Sequence, residues 1–180
     1  MKLDVVIRNR QRTFRVDGRR LRKATEDLLD RELGLAEANL GIHLIGSGTM
    51  AAMNWRWLRH EGSTDILTFD HRSNTGEPMH GELFISLEDA AAQASVYGTT
   101  TDAELARYVI HGVLHLLGYD DVEPAARAVM KRVENRLVRR VMAGGHFADL
   151  VRRKPGSVRK RAGSDGRRVA GARPAGKRSR

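Results

Sequence analysis

Apolar and polar residues alternate over two short stretches of the chain, which is typical of half-buried β-strands, and the segments DILTF and ELFIS are two further strand candidates. Leu3, Val5 and Ile7 show the alternation near the start of the sequence. The predicted strands are residues 2–8, 40–44, 65–69 and 82–86. A segment of loop composition joins the last two, so a hairpin and a crossover connection both fit.

Apolar residues at helical spacing predict five helices between and after these strands. The first lies between Asp17, a potential N-cap, and Gly34, which suits the C-terminal end of a helix. The others follow Thr49 or cover residues 87–98, 101–117 and 124–142. Thr101 and Glu104 fit a capping box for the fourth helix, and Gly118 fits its C′ position. This order predicts an α/β (α+β) fold in which a single small mixed sheet of about four strands is packed with about five helices.

The length of 180 residues and the hydrophobic fraction of 41% predict one core and one domain. The absence of cysteine excludes a disulfide partner, a thiolate zinc site and cysteine-nucleophile chemistry. No apolar run is long enough for a signal peptide or a membrane span, so we expect a soluble, cytoplasmic protein without a membrane partner. The sequence leaves the oligomeric state open.

The formal charge of +10 is concentrated at one end of the chain. Residues 1–150 carry 20 Lys and Arg against 21 Asp and Glu, whereas residues 151–180 carry 12 against one. We therefore predict a folded domain over residues 1–145 and a basic, disordered tail over residues 146–180. Such a tail fits an arm that binds RNA phosphates, and it fits equally a solvated extension with no specific task.

Two histidines four residues apart on the fourth helix predict a metal site. His111 and His115 would share one helix face, so both imidazoles can reach one ion. Gly118 can reverse the chain and bring Asp121, or its neighbour Asp120, to the same ion. Three ligands with a fourth position open to water are typical of a catalytic zinc site, so we predict one Zn²⁺ on His111, His115 and Asp121.

Other interpretations of these residues remain open. A single histidine on an apolar helix is usually a core or boundary residue, and Asp121 could cap the helix that begins near Pro124. The spacing also matches the metzincin protease pattern HExxHxxGxxH. Gly112 stands where that pattern requires the glutamate base, so a metzincin-like metalloprotease is a disfavoured alternative.

Three segments together resemble the YbeY family of bacterial endoribonucleases, also described as rRNA maturation factors. The segment HGVLHLLGYDD (111–121) resembles the family motif HGxLHLxGYDH. MNWRWLRHEGSTDILTF (53–69) resembles LNxxYRxKDxPTDVLSFP, and GELFIS (81–86) resembles GDIxIS. The similarity covers about residues 1–142 and leaves the tail outside it.

The resemblance implies a zinc-dependent endoribonuclease that acts on single-stranded RNA in the maturation of small-subunit ribosomal RNA and in ribosome biogenesis. It also implies the same α/β sheet. Asp121 replaces the family's third histidine ligand, and Leu58 aligns with a functional arginine of the family. Arg56 and Arg59 flank that position. We predict both as RNA-binding residues, and His111 and Arg59 as catalytic residues, although a solvated arginine is an equal alternative.

A second class of function also fits the sequence. The protein could be a ribosome-associated, RNA-binding assembly factor with a structural metal. A structural zinc site is closed by four protein ligands, and the conceivable fourth ligands are His60, His71, His80 and Asp120. Trp55 and Trp57 fit buried anchors for the sheet, or stacking platforms for unpaired bases.

Overall fold

The computed structural model describes residues 2–58, 64–74 and 76–155, with only the backbone at residues 57 and 58. The strands in these ranges are β1 (Lys2–Asn9), β2 (Phe14–Val16), β3 (Glu37–Ile45), β4 (Ile66–Asp70), β5 (Met79–Ser86) and β6 (Val151–Arg153). The helices are α1 (Gly18–Asp27), α2 (Ser47–Leu58), α3 (Leu87–Tyr97), α4 (Thr101–Leu116) and α5 (Pro124–Ala143). No helix in this part of the chain combines the length and apolar character that crossing a membrane requires.

The main sheet has the strand order β1-β3-β5-β4. Strands β1, β3 and β5 are parallel, whereas β4 pairs antiparallel with β5 and forms one edge of the sheet. The β4–β5 connection therefore joins antiparallel neighbours, as in a hairpin. The predicted α/β fold, with a mixed four-stranded sheet and five helices, is confirmed.

The two faces of the sheet are covered unequally. On one face, α1 packs on β1, and α4 packs on β4 and β5. This larger core contains fully buried side chains of β3 and β5, including Leu40, Ile42 and Leu83. A smaller core of Ile45, Met50 and Leu67 involves α2. Helix α4 belongs to the larger core along most of its length, which fixes the position of any side chain at its edge.

The end of the described chain belongs to the folded unit. Strand β6 pairs antiparallel with β2, and the side chains of Phe147 and Leu150 are buried in the larger core. The Asp102 carboxylate accepts the N–H groups of Leu150 and Val151 at 3.1 and 2.8 Å. The predicted boundary at residue 145 is therefore wrong. The chain turns back after α5, where Gly145 has a φ of 69°, and the two apolar residues then pack against the domain. The rest of the predicted tail, residues 156–180, lies outside the described residues.

The residues predicted to begin or end helices are correct at three positions and wrong at one. Asp17 caps α1 as predicted, Gly34 has a φ of 67° just beyond the π-helical turn Leu28–Glu32, and Gly118 has a φ of 89° after α4. The predicted capping box at Thr101 is wrong. The N-cap of α4 is Thr100, whose hydroxyl accepts the N–H of Ala103 at 3.1 Å.

Candidate metal centre

Helix α4 presents two histidines from successive turns at the edge of its packed surface. The rings of His111 and His115 are edge to face, with centroids 4.6 Å apart. Their Nε2 atoms are separated by 3.0 Å. About a quarter of each side chain is exposed, so both rings are held by the core and reached by solvent. The helix therefore directs two nitrogen atoms at one point on the surface.

The turn after α4 brings a carboxylate to the same point. The N–H groups of Gly118 and Tyr119 bond to the carbonyls of His115 and Leu114, which is a Schellman motif. The chain then returns so that Asp121 Oδ2 lies 3.8 Å from the Nε2 atoms of both histidines. One ligand atom from each of the three residues lies within 4.8 Å of the others. We call His111, His115 and Asp121 the His–His–Asp cluster.

Asp120 and Asp121 have different contacts, so the roles predicted for them can be distinguished. Asp120 Oδ1 accepts the N–H of Val122 at 3.0 Å, within the turn before α5. The N-cap of α5 is Glu123, which makes no side-chain capping bond. Asp121 is therefore not the cap of α5, and its carboxylate faces the histidines.

A buried glutamate on α5 fixes the orientation of His111. Glu134 accepts His111 Nδ1 at 2.9 Å and Arg107 Nη1 at 2.6 Å. Burial opposes its ionisation most strongly, but the hydrogen bonds from His111 and Arg107 together hold the pKa of Glu134 below its ordinary value. A carboxylate in this state only accepts hydrogen bonds, so the proton of a neutral His111 ring lies on Nδ1.

A main-chain carbonyl fixes the second ring in the same way. His115 Nδ1 lies 3.1 Å from the carbonyl oxygen of Tyr119, which also only accepts. Both Nε2 atoms of the neutral rings therefore carry lone pairs, and they face each other and the Asp121 carboxylate. Three acceptors without a donor between them repel one another unless a cation or a proton lies among them. Two imidazole nitrogens and a carboxylate oxygen are a donor set that suits zinc.

The other proposed metal ligands lie elsewhere or outside the description. His71 Nε2 contacts the Glu82 carboxylate at 3.2 Å, and the rings of His71 and His80 are 5.3 Å apart. His60 lies outside the described residues. Within the described ranges, the His–His–Asp cluster is the only group of three or more such side chains whose ligand atoms could hold one metal ion.

Comparison with known proteins shows which family the chain belongs to. A family model described as Endoribonuclease YbeY matches residues 6–142, which include the whole His–His–Asp cluster. The chain belongs to the YbeY family. A Salinibacter ruber protein named Endoribonuclease YbeY is 32% identical over 134 residues, which cover 71% of this chain and 85% of that protein. A protein of the same name from Chlorobium phaeovibrioides is 36% identical over 125 residues, which cover 69% and 82% of the two chains.

A solved structure has a similar fold. The solution structure of TM1509 from Thermotoga maritima has a TM-score of 0.58 against this chain, with 22% sequence identity. The match covers 84% of this chain and 99% of that one. The likeness therefore extends over most of this chain.

Gly112, which lies between the two histidines, is close to side chains of the sheet. A Cβ atom at Gly112 would lie 2.5 Å from a methyl carbon of Leu83 and 2.8 Å from Ile66 Cδ1. Position 112 therefore faces the sheet at close approach, so the glutamate of the metzincin pattern would require the side chains of Leu83 and Ile66 to move.

His111 lies between two cavities of different character. One has a volume of about 220 Å³ and lies between α4 and α5; we call it the α5-side cavity. The other has a volume of about 410 Å³ and runs along strand β4; we call it the β4-side cavity. The walls of the α5-side cavity include Arg107, Arg127 and Lys131 together with three carboxylates, whereas half of the residues lining the β4-side cavity are apolar and none is Lys or Arg.

The predicted RNA-binding arginines lie away from these walls or outside the description. Arg56 is exposed in the last turn of α2 and does not line either cavity. Arg59 lies outside the described residues, and so does the side chain of Leu58. Trp55 is 51% exposed, so it is not a buried anchor for the sheet. The side chain of Trp57 is also outside the description.

Sequence reasoning missed the two residues that support His111. Arg107, His111 and His115 recur every four residues, which places the arginine on the same face of α4. Glu134 is the one acidic residue in the buried stripe of α5, between Met130 and Leu137. A carboxylate within an apolar stripe needs a buried partner, and this signal was present in the sequence of the YbeY chain.

Proposed function

We propose that this YbeY-family chain is a zinc-dependent endoribonuclease that cuts single-stranded RNA during maturation of small-subunit ribosomal RNA. The proposal includes a cytoplasmic location and ribosomal RNA as the partner. Family membership and the name of the relatives support RNA cleavage. The observation that carries the metal dependence is the His–His–Asp cluster, in which three acceptors converge without a donor.

Each residue of the proposed site has a distinct task. His111, His115 and Asp121 would hold the ion. A bound zinc ion supplies Lewis acidity, which offsets phosphate charge and lowers the pKa of water. Glu134 keeps the His111 proton on Nδ1 and so leaves Nε2 as a ligand, while Arg107 keeps Glu134 charged.

Access to the site comes from the two cavities beside His111, which leave it open to solvent and substrate. Arg59 remains a proposed catalytic residue, and Arg56 and Arg59 remain proposed contacts to the RNA. Arg56 lies in the last turn of α2 and Arg59 lies outside the described residues, so their part in the reaction is tested separately from that of the His–His–Asp cluster.

Turnover of a labelled single-stranded RNA by the purified chain tests the proposal. We expect cleavage that stops on chelation and returns with zinc. His115→Ala should abolish both cleavage and stoichiometric zinc binding. His146→Ala is the matched control, because this half-buried histidine lies after α5, beside Asp27 and outside the His–His–Asp cluster, and should leave cleavage unchanged.

Other results of this experiment would favour one of the two alternative functions. RNA that is bound but remains intact with zinc present would contradict the nuclease and favour an assembly factor with a structural metal. The replacement of the family arginine by Leu58 is the observation in favour of that second function. Zinc-dependent cleavage of casein that follows the pure protein through chromatography would instead favour a metalloprotease, although Gly112 replaces its base.

A further inference from the structure

Two cationic side chains line the α5-side cavity from one edge of helix α5. Arg127 and Lys131 are one helical turn apart. Each lies three residues before a member of the buried stripe, Met130 or Glu134, so both side chains leave the helix beside its packed face. They therefore stand at the opening of the cavity that contains His111.

The acidic groups of the same cavity are engaged by other partners. Glu134 is occupied by Arg107 and His111, at 2.6 and 2.9 Å. Asp121 faces the two histidines, and Asp65 accepts the N–H of the residue that follows it at 3.0 Å. Among the described residues, the carboxylate paired with either of these two cations is that of Glu134, at 3.9 Å from Lys131 Nζ.

Both cations keep donors for a ligand. Arg127 Nε donates to the carbonyl of Asp121 at 2.6 Å. Among the described residues, this bond uses one of the five N–H donors of the guanidinium and holds the side chain beside the His–His–Asp cluster. Lys131 Nζ lies 3.9 Å from Glu134, with 64% of its side chain exposed, so that ion pair is weak.

The β4-side cavity provides a contrast on the other side of His111. Its walls include Ile66, Leu67 and Phe69 of strand β4 and Leu116 of α4. Among the described residues that line the two cavities, the Lys and Arg side chains all lie on the α5 side, so an anionic group is favoured there over the β4 side.

We infer that Arg127 and Lys131 form a binding site for a backbone phosphate of the RNA strand, next to the phosphodiester at the His–His–Asp cluster. This inference rests on the proposed function, because it assigns a substrate contact to the same site. The planar guanidinium of Arg127 suits two-point binding of phosphate oxygens, and Lys131 adds a mobile point charge. The two residues position the substrate and take no part in bond cleavage.

RNA binding by the full chain under chelation tests the inference, because binding is then measured without cleavage. The probe is a fluorescent single-stranded RNA, and the Kd is measured over a range of salt concentrations. Arg127→Gln and Lys131→Gln should each weaken binding about tenfold and lower the slope of log Kd against log salt by about one. Arg127→Lys keeps the charge, so it should restore the slope.

Arg136→Gln is the matched control. This arginine is exposed on the same helix, and nine positions after Arg127 it projects from the opposite side of α5. We expect its Kd and salt slope to match those of the wild type. With zinc restored, the double variant Arg127→Gln/Lys131→Gln should raise KM far more than it lowers kcat, at an unchanged melting temperature.

The possible failures are distinct. If the wild type cleaves RNA and the double variant binds RNA like Arg136→Gln, the phosphate site is refuted and the nuclease stands. If the wild type neither binds nor cleaves RNA, the proposed function is refuted, and the phosphate site is refuted as well. If Arg127→Lys lowers the salt slope as much as Arg127→Gln does, the charge of Arg127 is not what binds, and the phosphate site is again refuted.

Discussion

Asp121 faces two imidazole nitrogens at equal distances of 3.8 Å, and it is the only carboxylate among the three members of the His–His–Asp cluster. Asp121→Ala should lower zinc affinity by more than the roughly 10- to 100-fold that loss of an outer-shell partner costs, and RNA turnover should fall with it. Asp121→His should retain the metal. Competition with a chromophoric chelator measures the affinity.

Asp120→Ala is the control for this variant, because its carboxylate serves the turn before α5. It should leave zinc affinity near that of the wild type. Unchanged affinity in Asp121→Ala together with metal loss in Asp120→Ala would move the assignment by one residue.

Gly112 is buried where α4 packs against strands β4 and β5. Gly112→Ala should lower the free energy of unfolding by about 1–3 kcal/mol, because its methyl group meets Leu83 and Ile66 in a packed core. Gly48→Ala is the control, since a Cβ at this helical position has nothing within 4 Å. Urea denaturation should show Gly48→Ala to be at least as stable as the wild type. Equal stability of the two variants would contradict the prediction and would show that the side chains around Gly112 rearrange at little cost.

The residues of the candidate site differ in how far sequence could predict them. His111, His115 and Asp121 lie within eleven consecutive positions, so helix periodicity and one glycine turn bring them together. Glu134 and Arg107 meet across two helices, and sequence spacing does not encode that contact. Only the packing of α5 on α4 decides which side chain of α5 faces His111.

At the scale of elements, one carboxylate ties three parts of the fold together. Glu88, in the first turn of α3, accepts Ser47 N–H at 2.8 Å at the start of α2 and Thr13 Oγ1 at 2.7 Å before β2. The bonds from Ser47 and Thr13 lower the pKa of Glu88. The charged carboxylate also lies at the positive end of α2, where a helix has unsatisfied N–H groups.

This arrangement makes stability depend on pH through Glu88. Because its folded-state pKa is lower than that of the unfolded chain, its contribution is fully present above the unfolded value of about 4.3 and is lost as the pH falls through the folded value. Glu88→Gln should therefore flatten the decline of stability below about pH 4.3. Ser47→Ala should have an intermediate effect, since the Ser47 N–H still donates. Thermal unfolding across this pH range is the measurement, and identical profiles for Glu88→Gln and the wild type would contradict the prediction.

Element ends and short strands were the least predictable parts of the fold. Three consecutive threonines, 99–101, precede α4, and each is a suitable cap by residue type. The structure selects Thr100, which has an extended backbone, while Glu104 bonds to the hydroxyl of Thr99. Strands β2 and β6 have three residues each, too few for alternation to be recognised, and their pairing joins distant parts of the sequence.

At the scale of the whole molecule, two truncations separate the folded end from the basic segment. Deletion of residues 146–180 removes Phe147, Leu150 and β6. The loss of Phe147 alone should lower the free energy of unfolding by about 3–5 kcal/mol. Deletion of residues 156–180 leaves these contacts in place and should change the melting temperature little. A large drop in melting temperature for the shorter deletion would show that residues 156–180 also stabilise the domain.

The shorter deletion also tests the role of charge in RNA binding. Residues 156–180 contain nine Lys and Arg and one Asp. Their removal should weaken RNA binding and flatten its salt dependence, because fewer phosphate counterions are released. Fluorescence titrations at several salt concentrations measure both effects. An unchanged salt slope would favour the solvated extension over the RNA-binding arm.

The pairing of β2 with β6 has a consequence for biosynthesis. A ribosome releases Phe14 early, but the Arg153 side chain that covers its ring, 5.1 Å from the ring centre, emerges only after α5 is complete. Until then β2 has an unpaired edge, and such edges invite association with other chains. Closing a loop that spans nearly the whole domain is entropically costly and slows folding. Nascent chains that stall before Leu150 should therefore be the species of this protein most in need of a chaperone.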